Sequence, residues 1–236
     1  MTSSLLPESL SLNDGTLHHA ILRGFIDTLR PPTVAELAVK FGASESTIRH
    51  ALHTLADHHG TVLQPKSDEI WVTHPFSSAP VTCVIEAEGR QWWANCPWCA
   101  FGAANLIGGS GTVTTTVGGL REQVDLRFKD QVLLDTDYVI HFPVPMTKVW
   151  DNVIYTCSVQ LLFRNEKEVD EWCKVRGVPR GDVRPVQQIW PFAGEWYGRH
   201  LDKDWRKWTV PEAVSVFRRH GLDGPIWALP DVDGRF

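Results

Sequence analysis

Two cysteines three positions apart, Cys96 and Cys99, are the residues whose types and spacing most directly suggest chemistry in this chain. A C-x-x-C on one turn brings two sulfurs close enough to share a metal ion or to form a disulfide. Large aromatic residues flank the pair, and their exclusion of water would strengthen any metal–ligand or electrostatic interaction there. The motif alone is compatible with zinc binding, redox chemistry or a catalytic thiol. The flanking aromatic residues are Trp92, Trp93, Trp98 and Phe101.

The pattern around this motif argues against two common assignments. A closed structural zinc centre needs four ligands, yet the chain has no second C-x-x-C and its 10 histidines are scattered. A thioredoxin-like site would need the motif to open a long helix in a βαβ unit. Here the motif follows a predicted β-hairpin and precedes Ala100 to Ile107, a segment of small residues predicted as a short helix.

The other three cysteines have different surroundings. Cys157 lies within the most apolar predicted strand, Val153 to Phe163, but its polar neighbours leave both a core position and a functional role open. Cys83 lies in an alternating strand, and Cys173 lies on the apolar face of a predicted helix. We therefore predict that Cys83 and Cys173 are buried core residues.

The composition restricts the class of protein and its partners. The chain has 236 residues, of which 43% are hydrophobic and 22% are charged, as in globular proteins with a substantial core. Five cysteines without a recognisable secretory signal predict free thiols in the cytoplasm. No run of about 20 apolar residues occurs, so no membrane partner is predicted. The net charge of −5 does not favour nucleic acid as a partner.

The order of predicted elements indicates an α+β fold class. Capping signals and apolar periodicity predict three helices followed by a β-hairpin, which is the winged-helix order. A series of short strands then predicts a mixed β-sheet flanked by helices, with Val186 to Trp190 as a strand and Phe192 to Leu201 as a helix. We predict a winged-helix-like domain over residues 1–76, beginning with an irregular tail over 1–15. A sheet domain over 77–201 and a C-terminal helical extension over 202–236 follow.

The winged-helix order raises the hypothesis of a metal-responsive DNA-binding regulator. The third predicted helix offers a single arginine, Arg49, for phosphate contacts. Residues 1–75 contain eight acidic and five basic residues, so this part of the chain lacks the positive charge that drives binding to DNA. A structural or packing role for the N-terminal domain is therefore the favoured prediction.

Three segments give the chain a resemblance to the organomercurial (alkylmercury) lyases. Arg90 to Cys96, followed by Ala100 to Gly108, resembles the family segment that carries its first catalytic cysteine. Cys157 to Phe163, with Trp172 downstream, resembles the strand of the second cysteine, and Gly194 to Leu201 resembles the closing helix. The resemblance covers most of residues 17–201, and the order and spacing of the segments support it.

The resemblance implies an enzyme that breaks a carbon–mercury bond by protonolysis. It places the mercury of a small organometallic substrate on Cys96 and Cys157, since soft thiolates suit a soft metal. The family has an aspartate, the proton donor, where this chain has Cys99. Cys99 is therefore expected either to move the proton or to act as a third metal ligand. No resident cofactor is required, and mercury is substrate and product. Asp151, Glu195 and Tyr155 are candidates for a substitute acid, provided that the fold brings them near the cysteines.

An alternative function is that of a homologue without lyase activity. In this hypothesis Cys96, Cys99 and Cys157 bind a soft metal ion such as mercury, copper or zinc, or serve another thiol- or metal-dependent reaction. Three thiolates around one ion favour retention of the metal over turnover. The geometry of the three sulfurs, and the presence or absence of a carboxylate beside them, distinguishes these possibilities.

Overall fold

The computed structural model describes residues 11–57, 60–120 and 122–229, and these residues form an α+β fold, as predicted. Two antiparallel sheets lie among the helices. The helices are α1 (Asp14–Thr28), α2 (Val34–Phe41), α3 (Glu45–Asp57), α4 (Pro97–Ile107), α5 (Val153–Val159), α6 (Glu166–Arg176), α7 (Val186–Gly198) and α8 (Val210–Arg219), with a 3-10 turn at Met146–Lys148. The strands are β1 (Thr61–Leu63), β2 (Ile70–Thr73), β3 (Phe76–Ser77), β4 (Cys83–Ala87), β5 (Arg90–Ala94), β6 (Gly111–Thr116), β7 (Gln123–Lys129), β8 (Val132–Leu133), β9 (Val139–Phe142), β10 (Leu162–Phe163) and β11 (Asp182–Pro185).

The N-terminal part has the predicted order of three helices followed by a hairpin, β1–β2. Helix α2 begins at the predicted capping box. The Thr33 hydroxyl accepts from the Glu36 amide at 3.2 Å, and the Glu36 carboxylate accepts from the Thr33 amide at 2.8 Å. The helix ends at Gly42, whose φ of 61° is the left-handed conformation that glycine adopts at helix C-termini.

One eight-stranded antiparallel sheet runs from the N-terminal hairpin into the rest of the chain, in the order β1-β2-β3-β5-β4-β6-β7-β8. Strand β3 pairs with β5, with Phe76 opposite Ala94. Because the two strands are antiparallel, the start of β3 and the end of β5 lie at the same end of the sheet. Residues just before Phe76 therefore lie near residues just after Ala94. The domain boundaries at 76 and 201 remain predictions.

Helix α4 lies in the centre of the molecule and packs on β4, β5 and α7. The residues of its first eight positions, Pro97 to Ala104, are all buried. Gly102 allows the close approach of α7, because a Cβ at this position would lie only 2.1 Å from Cδ2 of Tyr197. This contact fixes Tyr197 beside the first turn of α4.

Two predicted strands are helical in the structure. Val153 to Phe163 was predicted as one strand, but Val153–Val159 forms α5 and only Leu162–Phe163 is extended. A short apolar run does not distinguish a strand from a buried helix, and the Asn152 side chain caps α5 by accepting from the Tyr155 amide at 2.9 Å. Val186 to Trp190 was likewise predicted as a strand, but it forms the first part of α7.

The two ends of the chain are described in part. Residues 1–10 of the predicted irregular tail and residues 230–236 of the predicted extension lie outside the described residues. The last two positions of that tail belong to α1, which begins at Asp14. The predicted C-terminal helix is present as α8. Within the described part of the chain, no helix has the length and apolar character needed to cross a membrane.

Candidate active site

Cys96 and Cys99 occupy the N-terminus of α4, immediately after β5. Cys96 is the N-cap residue with extended backbone (φ −155°, ψ 171°), and Pro97 follows at the first helical position, which proline favours. The Cys96 side chain makes no capping hydrogen bond and instead donates to the Cys99 sulfur at 3.4 Å. The motif thus opens an 11-residue helix, where the sequence had predicted a turn preceding a helix that starts at Ala100.

Cys157 reaches the same place from α5. The Thr156 hydroxyl, next to it, donates to the Val149 carbonyl at 3.0 Å and fixes α5 against the preceding segment. Along α5, Tyr155 and Ser158 are exposed, whereas Cys157 is only 7% exposed. Its predicted position within a strand was wrong, but the helix turns its sulfur inward towards α4.

His74 is a residue of this site that the sequence did not indicate. It lies between β2 and β3, at the end of the sheet where β5 leads into Cys96. Its Nδ1 lies 3.0 Å from the Gly60 carbonyl oxygen, and its Nε2 lies 3.7 Å from the Cys157 sulfur. A carbonyl only accepts, so Nδ1 carries the proton and the lone pair of Nε2 faces Cys157.

Three potential metal ligands meet at this point. The Nε2 or Nδ1 atom of His74 and the sulfurs of Cys99 and Cys157 lie within 4.8 Å of one another, and all three residues are buried. Within the described ranges this is the one group of three or more such side chains. Cys96 adjoins it through its contact with Cys99. All five cysteines are free thiols.

The three sulfurs differ in their readiness to ionise. Burial opposes ionisation of Cys99, but hydrogen bonds from Cys157, Cys96 and Tyr197 outweigh it and hold the pKa of Cys99 well below its usual value. Burial raises the pKa of Cys96, and hydrogen bonding of the Cys157 thiol with the Cys96 and Cys99 sulfurs raises the pKa of Cys157. Cys99 is therefore the sulfur of the cluster that loses its proton most readily, and Cys96 and Cys157 hold their protons more strongly.

Tyr197 and His74 are neutral partners of these sulfurs. The Tyr197 hydroxyl lies 3.7 Å from the Cys99 sulfur, and burial is the main cause that raises the pKa of this tyrosine. Burial lowers the pKa of His74, so its imidazole stays uncharged. The phenol is therefore a hydrogen-bond donor to the Cys99 thiolate. The imidazole is a lone-pair donor beside Cys157.

Aromatic side chains close the site against water. Trp98 stacks on Phe192 with ring centroids 5.2 Å apart and contacts Trp196 and Tyr197, each at 5.8 Å. The cavity beside the sulfurs has a volume of only about 10 Å³, close to the space of one water molecule. Its wall comprises His74, Trp98, Cys99, Val149, Trp150, Val153, Thr156, Cys157, Gln160 and Tyr197.

Comparison with known proteins identifies the family and the fold of the chain. The sequence model described as "MerB: Alkylmercury lyase" matches residues 76–198, which is just over half of the chain and includes Cys96, Cys99 and Cys157. The chain belongs to the alkylmercury lyase family. Comparison with curated proteins gave no match. The crystal structure of the mercury-bound form of MerB2 is similar in fold, with a TM-score of 0.65 and 17% identity over 84% of this chain and 93% of that chain.

None of the three substitute acids considered for this member of the family reaches the sulfurs. Glu195 is paired with His220 at 2.7 Å and with Arg219. Asp151 is exposed and lines a separate outer cleft, and Tyr155 is 49% exposed. No carboxylate lines the thiol cavity among the described residues. The aspartate expected in the alkylmercury lyases thus has no carboxylate substitute in this cavity.

Cys83 and Cys173 lie apart from the site, in the core as predicted. Cys83 is fully buried in β4 with its sulfur 3.3 Å from the Thr115 hydroxyl, and burial raises its pKa to about 12. Cys173 packs in a small separate cluster with Leu161, Phe163 and Val169. Neither sulfur belongs to the group formed by His74, Cys99 and Cys157.

Trp150 lies between the thiol cavity and two other cavities. This half-buried side chain lines the thiol cavity, a neighbouring cavity of about 30 Å³ and an outer cleft of about 590 Å³. The outer cleft also includes His53 and Asp68 from the N-terminal part of the chain. Trp150 therefore separates a space large enough for a small organic molecule from the buried sulfurs.

Proposed function

We propose that this chain cleaves the carbon–mercury bond of small organomercurial cations by protonolysis, with Cys99, Cys157 and Cys96 as the reacting thiols. Membership of the alkylmercury lyase family supports the class of reaction. The main observation in support of the proposal is that the Cys99 and Cys157 sulfurs lie within 4.8 Å of each other in a buried cavity. Soft sulfur ligands at this separation suit capture of one mercury atom.

The first step is capture of the substrate by Cys99. Its lowered pKa makes it the thiolate, and a thiolate is the nucleophile that displaces the ligand X of R–Hg–X. A sulfur–mercury bond forms, a mercury–X bond breaks, and X leaves as an anion. The Cys96 thiol and the Tyr197 hydroxyl, which stabilise the thiolate beforehand, are released from it as mercury binds.

The second step transfers a proton to carbon. The Cys157 sulfur binds the mercury on Cys99, and the proton of the Cys157 thiol moves to the carbon of R. The carbon–mercury bond breaks, R–H leaves, and mercury remains as Hg(II) on two sulfurs, with no change in oxidation state. The raised pKa of Cys157 keeps this proton available at neutral pH.

This assignment differs from the roles expected from the family resemblance: Cys99 replaces Cys96 in the capture of mercury, and Cys157 supplies the proton. Cys99 stands where the family has its acid, but its environment favours the ionised form, so it suits nucleophilic capture better than proton donation. The cavity offers no carboxylate within the described part of the chain. The neutral thiol of Cys157 is therefore the proposed source of the proton.

Cys96 is proposed to bind the mercury product. Its sulfur lies 3.4 Å from that of Cys99, so Cys96 can release its proton to the solvent and join, as a third thiolate, the Hg(II) left on Cys99 and Cys157. Three thiolates hold mercury tightly, and product release then needs an external thiol in excess. We therefore expect one equivalent of R–H per chain without added thiol, and repeated turnover with it.

Variants of the thiols test the proposal with methylmercury as substrate under excess thiol. Cys99→Ser and Cys157→Ser should each abolish methane release, because each removes a sulfur that binds mercury. Cys173→Ser changes a buried thiol outside the site and should retain the wild-type rate. Absence of methane from the wild-type protein under these conditions would overturn the proposal.

The alternative, a homologue without lyase activity, makes a different prediction. Such a protein would bind methylmercury or Hg(II) stoichiometrically on the same sulfurs without releasing methane. The free state of all five cysteines supports a reducing compartment such as the cytoplasm for either function. Both functions need a small-molecule partner only.

A further inference from the structure

A buried imidazole completes a donor set beside the two reacting sulfurs, and this set has a use besides mercury chemistry. We propose that His74, Cys99 and Cys157 form a binding site for a divalent d10 ion of the zinc type, with His74 Nε2 and the two sulfurs as ligands. The site goes beyond the proposed lyase activity and does not depend on it. Three protein ligands with one open position are the arrangement of reactive zinc sites.

Hydrogen bonding holds the His74 ring in the orientation and tautomer that metal binding requires. The Gly60 carbonyl accepts from Nδ1 at 3.0 Å and also from the backbone amide of His74 at 2.7 Å. The proton is thereby held on Nδ1, and the lone pair of Nε2 points to the Cys157 sulfur. An outer hydrogen bond of this kind is what orients most metal-binding histidines.

The spacing of the donors also agrees with zinc. A tetrahedral zinc ion with a nitrogen at about 2.05 Å and a sulfur at about 2.3 Å holds these two atoms about 3.6 Å apart. The distance between His74 Nε2 and the Cys157 sulfur is 3.7 Å. The Cys99 sulfur lies within 4.8 Å of both atoms, so small side-chain movements bring all three onto one ion.

The charges of such a complex balance inside a dry cavity. Zinc binding releases the Cys157 proton to the solvent, after which two thiolates neutralise the divalent cation and the imidazole stays neutral. No carboxylate, lysine or arginine lines the cavity in the described ranges, and the Lys207 cation lies with His74 in the neighbouring cavity. The Gln160 Nε2 donor is buried in the cavity wall and has no hydrogen-bond partner among the described residues, so it can donate to a ligand in the open fourth position.

A second cysteine–histidine pair shows that proximity alone does not make such a site. The Cys173 sulfur lies 3.6 Å from His141 Nε2, almost the same separation as in the Cys157–His74 pair. However, His141 Nε2 donates to the Arg180 carbonyl at 2.7 Å, so this nitrogen carries a proton and has no lone pair for a metal. The two pairs therefore form a matched test and control.

Metal titration of the full chain without substrate tests the site. Zinc is titrated against a chromophoric chelator, and Co(II) is used as a spectroscopic substitute, both under a reductant that does not bind metals. We expect one equivalent of metal, with sulfur-to-cobalt charge-transfer bands and the intense visible bands of tetrahedral Co(II). X-ray absorption of the zinc form should show one imidazole and two sulfurs.

The deciding variant is His74→Asn. An asparagine amide can still donate to the Gly60 carbonyl but places no atom at the Nε2 position, so the fold should keep its melting temperature. We expect zinc affinity to fall by more than the roughly 10- to 100-fold that loss of an outer hydrogen-bond partner costs. Cys99→Ser and Cys157→Ser should weaken binding similarly, and His141→Asn and Cys173→Ser should not.

Unchanged zinc affinity in folded His74→Asn, or the absence of imidazole from the X-ray absorption signal, would overturn the site. Loss of affinity in His141→Asn to the same degree would also overturn it, since that variant leaves all three ligands in place. The lyase proposal is tested separately, by methane release from chelator-treated protein. Either proposal can therefore fail while the other holds.

Discussion

Tyr197 on α7 lies directly against Gly102 on α4, so that a Cβ on Gly102 would meet the tyrosine ring at 2.1 Å. Gly102 lies three residues after Cys99, and therefore on the same face of α4. The Tyr197 hydroxyl lies 3.7 Å from the Cys99 sulfur. The absence of a side chain at position 102 thus places the phenol beside the thiolate. Helix packing and the ionisation of Cys99 are coupled through this contact.

Gly102→Ala should therefore disturb both stability and the site. The added methyl group must move the Tyr197 ring, and overpacking of this kind costs about 1–3 kcal/mol of unfolding free energy. Denaturant unfolding measures this loss. Gly198→Ala on α7 is the matched control, because its Cβ would meet no atom within 4 Å. An equal effect of the two substitutions would contradict the close packing.

Tyr197→Phe should raise the pKa of Cys99 without changing the fold. The phenol donates to the Cys99 sulfur at 3.7 Å, and a hydrogen bond to the charged form of a group lowers its pKa, so removal of the hydroxyl should raise the pKa of Cys99. The thiolate fraction of Cys99 would then appear at higher pH. Ultraviolet absorbance of the thiolate against pH, in a Cys96→Ser background and its Tyr197→Phe counterpart, measures the shift. Identical titration curves would exclude a role for the phenol.

The rate of mercury capture should reach its plateau at a lower pH than for an unperturbed cysteine. The pKa of Cys99 is depressed, so the thiolate is already formed where a free thiol remains protonated. As pH falls through this depressed pKa, the thiolate is protonated and capture slows. Stopped-flow measurement of the rate of methylmercury binding at a series of pH values locates this plateau. A plateau reached only above the usual range of cysteine pKa values would contradict it.

Trp150→Ala should speed access to the buried sulfurs. Trp150 lines both the outer cleft and the thiol cavity of about 10 Å³, so its removal joins the two spaces. Modification of Cys99 by a bulky maleimide should accelerate much more than modification by a small haloacetamide. Trp172→Ala changes a tryptophan outside this wall and serves as the control. Equal acceleration for both reagents would indicate general loosening of the fold.

Arg90 should be a stability determinant that joins the N-terminal helices to the sheet. Its guanidinium donates to the Ile26 and Asp27 carbonyls at the end of α1, both at 2.7 Å. Arg90→Met should lower the unfolding free energy by roughly 1–3 kcal/mol. Arg127→Met removes a surface ion pair with Asp135, since the Arg127 side chain is 66% exposed, and should cost under about 1 kcal/mol. Thermal unfolding of the two variants compares them directly.

Local signals in the sequence predicted much of the fold. The capping box at Thr33, the hairpin turn at Glu88-Gly89 and the buried positions of Cys83 and Cys173 depend on neighbouring residues and are present in the structure. Glu88 and Gly89 both have positive φ, as a two-residue hairpin turn requires. Helix α5 was missed because a seven-residue apolar segment fits a strand pattern equally well.

The composition of the site was only partly predictable. Cys96 and Cys99 are neighbours in the chain, and the partnership with Cys157 came from the family resemblance. His74 was not found, because its position depends on the antiparallel pairing of β3 with β5, which no local pattern encodes. Its signal, a histidine between two short strands, is common in proteins. Tyr197 lay within a segment of the family resemblance but was not singled out.

The lyase assignment is tested most directly by one single-turnover measurement in D₂O. Chelator-treated protein is mixed anaerobically with one equivalent of methylmercury, and the headspace gas and the intact protein are analysed by mass spectrometry. Protonolysis predicts one equivalent of CH₃D per chain and a protein that has gained one mercury atom without its methyl group. A protein that carries intact methylmercury, with no methane in the headspace, would contradict the proposed function.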